Sequence, residues 1–225
     1  MSIFKLQENK IRPAALAATG LFMFFAALYF APIDIPHKIT LTVGSAFVAS
    51  LWLCPWQISL ALLFSALGDY FGSCHIFLAQ MGFFALGHIF YVWFFVHRWL
   101  TKVEPDRKLT AKAKGYLAMV IFCTIALLAI AFTKVLPGAP AGIEKIGASC
   151  YAVIISTMLF LGLLQRSSLF ALGAILFVFS DFILAWNKFV EPVPGRHYLV
   201  LVSYFLAQWL LFVRATKFRI GPEMR

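Results

Sequence analysis

Eight apolar stretches, most of them close to the length of a membrane crossing, follow one another along this chain with only short polar breaks between them. They run approximately over 13–31, 38–53, 57–72, 76–96, 115–136, 143–164, 168–186 and 198–213. A helix needs about 20 residues to cross the hydrocarbon core, with a usual range of about 17 to 25. In that core each backbone polar group must be bonded within the protein, so runs of this length are expected to be helical. The expected fold is all-α: a polytopic membrane helix bundle with eight transmembrane helices, forming a single integral membrane domain over residues 1–225. The second and third stretches are short and separated only by Cys54, Pro55 and Trp56, where proline supports a tight turn.

Composition excludes a soluble alternative. Charged residues are 12% of the chain, against about 25% in a soluble domain, and the mean hydropathy is +0.89. The 25 phenylalanines and 6 tryptophans suit lipid-facing surfaces and interfacial belts. Lys5, Lys10 and Arg12 precede the first stretch in the manner of a signal peptide. The run that follows is longer than an ordinary signal h-region and lacks a small-x-small cleavage site, so it reads as the first transmembrane helix.

The net charge of +10 invites thoughts of nucleic acid, but its distribution argues against that partner. With eight spans, both termini and the loops after spans two, four and six share one side, and they carry 14 of the 19 lysines and arginines. The positive-inside rule then places both termini in the cytoplasm. The longest loop, 97–114, is rich in both charges and reads as a solvated topology determinant. The four cysteines, Cys54, Cys74, Cys123 and Cys150, form no Cys-x-x-Cys. Cys123 and Cys150 lie in apolar runs and are expected to be small buried hydrophobes.

Two acidic residues, Asp69 and Asp181, interrupt apolar spans. A carboxyl group in hydrocarbon is costly unless it is neutral, paired or facing a wet cavity, so intramembrane acids are functional candidates by default. Asp69 lies 12 residues into span three and Asp181 13 into span seven, a rise of about 18 to 20 Å each at 1.5 Å per residue. If both spans run outward from the cytoplasm, the two carboxyls fall at similar levels in the outer half of the membrane. Such a pair can split into a neutral acid and an ionised carboxylate, as general-acid chemistry requires. The bland alternative is a pair of helix-packing carboxyls bonded to neighbours such as Ser65 and Ser180. Leu-Phe-Ser-Ala-Leu-Gly-Asp around Asp69 also echoes Leu-Phe-Val-Phe-Ser-Asp around Asp181, a faint sign of two four-helix halves.

His88 and Tyr91 share one face of span four at i and i+3, and Tyr204 and Gln208 share one face of span eight at i and i+4. Each could equally be a packing residue. Lys38 opens span two on the expected outer side, either as a snorkelling lysine or as a contact for an anionic headgroup. Metal binding is not expected. There is no His-Glu-x-x-His, and His37, His75, His97 and His197 fall at span ends or in loops.

Lys38, Ala-Leu-Gly-Asp69, Phe-Phe-Ala-Leu-Gly-His-Ile-Phe-Tyr91, Ser-Asp181-Phe-Ile-Leu-Ala and Tyr204-Phe-Leu-Ala-Gln208 together resemble the YhhN family of lysoplasmalogenases, in the same order over spans two to eight. Ser-Asp-x-x-Leu-Ala is the most specific element. The family usually has proline directly after the lysine, where this chain has Ile39. The resemblance implies an eight-span hydrolase that cleaves the vinyl ether bond of lysoplasmalogens to a fatty aldehyde and glycerophosphoethanolamine or glycerophosphocholine. It also implies that Asp69 and Asp181 are essential. Vinyl ethers resist base but open once their β-carbon is protonated, and the resulting oxocarbenium ion is steadied by a nearby negative charge, as in glycosidases.

That chemistry needs no metal, cofactor or covalent nucleophile. Asp181 is the expected proton donor and Asp69 its ionised partner, with the reverse order open. Lys38, His88, Tyr91, Tyr204 and Gln208 are the expected substrate-binding residues. The expected partners are a lysophospholipid substrate and membrane lipid, with no obligate protein partner, in a bacterial-type inner membrane. A proton-coupled carrier is the main rival reading, since paired acids belong there too. A zinc-dependent intramembrane amidase is a third, disfavoured by the scarcity of intramembrane histidines.

Overall fold

The computed structural model describes residues 3–102 and 110–219. Part of the basic loop expected over 97–114, and the last of the C-terminal cations, lie outside the described residues. Eight α-helices make up the described chain: α1 Ile3–Phe30, α2 Lys38–Leu53, α3 Trp56–Ser73, α4 Phe77–Lys102, α5 Ala111–Ile130, α6 Ile143–Leu164, α7 Ser168–Phe189 and α8 Arg196–Ala215. No strand occurs among the described residues.

Each expected span coincides with one helix, and the differences lie at the ends. α1 begins at Ile3 and carries Pro13 in its interior, so the proline does not mark its start. α4 and α7 run on past the apolar stretch, because the hydrocarbon ruler measures only the greasy part of a helix and polar turns continue it into the interface. α5 passes into a π-helical turn at Ala131–Val135 and a 3-10 turn at Leu136–Gly138. Pro55 caps α3 with extended backbone, making the expected tight turn after α2.

Six helices are long and apolar enough to cross a membrane by themselves. The other two are α2 and α3. α2 has 16 residues, about 24 Å at 1.5 Å per residue, against a hydrocarbon thickness of about 30 Å. α3 has 18 residues, among them Gln57 and Asp69, which dilute its hydrophobicity.

The chain divides into two compact units. The first comprises residues 1–90 and 208–225, the second residues 91–207; the divisions fall within α4 and within α8. In the first unit α1 packs on α2 and α2 on α3. α3 and α4 meet through small residues. A β-carbon on Gly68 would touch the ring of Phe84, one on Gly87 would come within 3.1 Å of the Ala61 carbonyl, and one on Gly72 would strike the Gln80 amide. Those three contacts pair decreasing with increasing residue numbers, so the helices run antiparallel in a fixed register. Small residues allow such close approach, which drives helix association in lipid where no hydrophobic force operates. Phe64 stacks on Phe83 and Phe90, and the Cys54 thiol points at the Phe212 carbonyl, 3.8 Å away.

In the second unit α6 packs on both α5 and α7. Gly162 of α6 lies against Ala174 of α7 and the ring of Phe95. Phe94 and Phe95 each make an edge-to-face contact with Phe170, each pair worth about 0.5–1.5 kcal/mol beyond area burial. The buried Arg98 donates to the Gln165 side chain at 3.1 Å, and Gln165 in turn donates to the Phe95 carbonyl at 3.0 Å. Cys123 and Cys150 are exposed on the protein surface, not buried, while Cys54 is buried. An apolar run in a membrane helix does not distinguish core from lipid, which is why the expectation for those two fails.

Candidate functional site

Asp69 and Asp181 are both buried in helix interiors, each thirteen residues after the first residue of its helix, Trp56 in α3 and Ser168 in α7. Their surroundings differ. Asp181, at 9% exposure, accepts a hydrogen bond at Oδ2 from the Tyr151 hydroxyl of α6. Asp69 is 1% exposed. It lies between Gly68 and Tyr70, one turn before the end of α3, and the Tyr29 phenol of α1 is within reach of its electrostatic field.

Of the two serines named beside the acids, Ser180 has its hydroxyl engaged with backbone. Ser180 donates to the Val200 carbonyl of α8 at 3.0 Å, which ties α7 to α8 one residue before Asp181. Within the second unit Tyr91 and Tyr204 converge. Both place their rings edge-on to Phe177, with centroids 6.3 and 5.4 Å away, and Phe177 lies one helical turn before Asp181. The aromatic wall beneath that carboxyl therefore comes from three helices.

His88 and Gln208 belong to the first unit and are fully buried, at 1% and 0% exposure. By the α3–α4 register, His88 lies near the level of Phe64, about five residues of helix below Asp69, or about 7 Å. Buried polar side chains are expensive in an apolar interior unless hydrogen bonded, so this polar set is a deliberate feature of the interior.

Lys38 stands at the first residue of α2, where its ammonium donates to the Ala31 carbonyl at 3.0 Å. This caps the orphan carbonyls at the end of α1, where a cation suits the helix dipole. Beside it, His37 sits in the left-handed region with φ 54°. Its Nδ1 lies 2.5 Å from Ser73 Oγ and its ring lies 4.7 Å from that of Tyr70. Since the Ser73 hydroxyl donates to the Tyr70 carbonyl at 2.7 Å, the proton between His37 and Ser73 belongs to His37. Lys38, His37, Tyr70 and Ser73 thus form a polar rim one turn beyond Asp69. Among the described residues no three His, Cys, Asp or Glu side chains gather as a metal-binding group.

Two contributors escape a reading from sequence. Tyr151 lies eight residues after Ile143, too deep for the interfacial position usual for tyrosine, and that depth was the available signal. His37 and its left-handed turn have no sequence signature.

The YhhN family model matches residues 38–215. The lysoplasmalogenase TMEM86B of Rattus norvegicus is 33% identical over 167 residues, covering 72% of this chain and 62% of the relative. That of Homo sapiens is 30% identical over 161 residues, covering 70% and 62%. The Mus musculus protein is 29% identical over 213 residues, covering 87% and 85%. The chain thus spans under two thirds of the length of the first two relatives. No solved structure matches. Six apolar helices of membrane-crossing length make the chain an integral membrane protein. Helices α2 through α8, with both buried aspartates and the Tyr151 donor, all lie inside the matched stretch, and the chain belongs to the YhhN family.

Proposed function

We propose that this protein is a lysoplasmalogenase: an eight-span hydrolase of a bacterial-type inner membrane, with both termini cytoplasmic, that cleaves the vinyl ether of lysoplasmenyl-ethanolamine or lysoplasmenyl-choline. Membership of the YhhN family and relatives named lysoplasmalogenase support the activity. The observation that carries the chemistry is the presence of two carboxyl groups buried in helix interiors, with no apolar explanation for either.

One aspartate transfers its proton to the β-carbon of the vinyl ether, and the π pair forms the new C–H bond. The cation left on the α-carbon is shared with the ether oxygen, and a carboxylate is the kind of group that steadies it. Water adds to that carbon and returns a proton to the first aspartate. The hemiacetal then collapses, breaking the C–O bond to leave an aldehyde and the glycerol hydroxyl. Both carboxyls finish as they began, so the cycle needs neither cofactor nor metal.

Tyr91 and Tyr204, with Phe177, form an aromatic wall suited to an alkenyl chain, and His88 and Gln208 are the buried polar residues proposed to bind substrate. The rim at Lys38 is suited to an anionic headgroup, since its ammonium already donates to a carbonyl and can share a second acceptor.

The experiment is aldehyde release from lysoplasmenyl-phosphatidylethanolamine by detergent-purified protein. Stoichiometric aldehyde and glycerophosphoethanolamine are expected. A carrier would need a sealed compartment and would leave the lipid intact in detergent, and that outcome refutes the reading.

A further inference from the structure

A groove with a volume of about 480 Å³ opens on the first unit beside the turn between α2 and α3. Phe47 and Leu51 line it from α2, and Trp56, Leu60 and Leu63 from α3. Each set repeats every three to four residues and so occupies one helix face. Among the described residues the lining carries one charge, that of Arg219 beyond the end of α8. From Trp56 to Leu63 the groove follows about 10 Å of helix at 1.5 Å per residue. That length takes a chain well into one leaflet of a hydrocarbon core about 30 Å thick. The volume lies within the range of about 300–1,000 Å³ usual for ligand pockets.

The charged end of the groove is held by specific contacts. Arg219 donates through Nη1 to the Leu51 carbonyl, one of the last carbonyls of α2, where a cation suits the helix dipole. That bond uses one of five guanidinium N–H groups. The Cys54 thiol meets the Phe212 carbonyl at 3.8 Å, so the turn and the end of α8 lie at the same end of this unit. Trp56 is exposed there and sits edge-on to Phe90, with centroids 6.3 Å apart. An amphipathic indole in that position suits the headgroup level. Arg214 and Lys217 precede Arg219, and no Asp or Glu occurs in the sequence between Glu191 and Glu223. The groove is therefore apolar along its length and cationic at its mouth.

We propose that this groove binds an anionic membrane phospholipid, with one acyl chain along Phe47, Leu51, Leu60 and Leu63 and the phosphate accepting from Arg219. Arginine meets phosphate through two parallel N–H groups, and basic pockets between membrane helices take phospholipid headgroups. Neither half of the groove accounts for the other. A soluble anion has no use for so long an apolar wall, and a neutral lipid has none for the guanidinium. Asp69 lies thirteen residues beyond Trp56 on α3, about 20 Å further along the helix, so a lipid held here is not a substrate placed at that carboxyl. The site requires no catalytic activity and stands apart from the lysoplasmalogenase reading. A lipid seated in it contacts α2, α3 and the segment after α8 together, and so ties that end of the unit.

The test uses full-length protein in detergent, titrated with phosphatidylglycerol or with phosphatidylcholine of the same chains. Native mass spectrometry reads the affinity of the first lipid retained. Wild type should hold phosphatidylglycerol more tightly than phosphatidylcholine, whose choline cation repels the guanidinium. Arg219→Gln keeps a donor for the Leu51 carbonyl but removes the charge. It should weaken phosphatidylglycerol by about 10- to 100-fold, the range for a hydrogen bond to a charged group. Leu60→Trp fills the groove with Arg219 in place and should also weaken it. Glycerol phosphate, which has the anion without the chain, should not displace the lipid when added in excess. Displacement by glycerol phosphate would make this a plain anion site and overturn the proposal. Equal affinity for the two lipids, or unchanged affinity in either variant, would overturn it as well. If circular dichroism shows that Leu60→Trp does not fold, the change at the exposed Arg219 decides by itself.

Discussion

Asparagine at position 69 or 181 keeps the size and shape of the carboxyl but can neither donate an acidic proton nor carry charge. Both Asp69→Asn and Asp181→Asn are expected to lower kcat for aldehyde release by at least about 100-fold, the low end for general-acid catalysis. Far-ultraviolet circular dichroism should show helicity unchanged, and near-normal turnover by either variant would remove that residue from the mechanism. Cys54 gives a different residue-scale expectation. Burial in the α2–α3 turn pushes its thiol pKa up, so the group stays protonated as pH rises through the range where an ordinary cysteine ionises. It should resist iodoacetamide at mildly alkaline pH in the folded protein and react after denaturation, as read by mass spectrometry. Rapid labelling of the folded protein would show that the turn opens.

Among the elements, close helix approach is set at particular glycines. A β-carbon on Gly87 would sit 3.1 Å from the backbone carbonyl of Ala61, whereas one on Gly82 of the same helix would meet nothing within 4 Å. Gly87→Ala should therefore destabilise the α3–α4 pair by about 1–3 kcal/mol, the usual cost of overpacking. Gly82→Ala should be neutral or slightly stabilising, because alanine is the better helix former. A thermal-unfolding comparison of the two in one detergent checks the pair, and equal shifts would refute the register. Gly138 is a stricter case. Its β-carbon would fall 1.8 Å from the Phe189 carbonyl oxygen, so Gly138→Ala must displace the end of α7 and should lower the unfolding temperature more than Gly87→Ala does.

At the scale of the whole molecule, the proposed topology turns on how α2 and α3 cross. Both are short, and an eight-span topology requires the turn at Pro55 to reach the cytoplasmic face while Pro36 and Lys38 face outward. Trp56, exposed at the start of α3, is a suitable probe. In a cysteine-free background, Trp56→Cys should react with a membrane-impermeant maleimide only once the cytoplasmic side is opened. Labelling from outside, or none from either side, would make α2 and α3 a re-entrant hairpin.

What the sequence determined by itself follows from a solvent argument. Hydrocarbon leaves a backbone only one local way to satisfy its hydrogen bonds, so apolar run length located every helix among the described residues, including the 16-residue α2. The same scarcity of polar groups picked out Asp69 and Asp181, since a carboxyl stands alone against so apolar a background. Tertiary structure alone decided the rest. Lipid covers apolar residues as readily as a protein core does, so no pattern in the chain could say that Cys123 and Cys150 face outward. Likewise no spacing links Tyr151 to an aspartate 30 residues away. That contact depends on the register of α6 against α7, which arises from small-residue packing between helices and not from anything either helix carries alone.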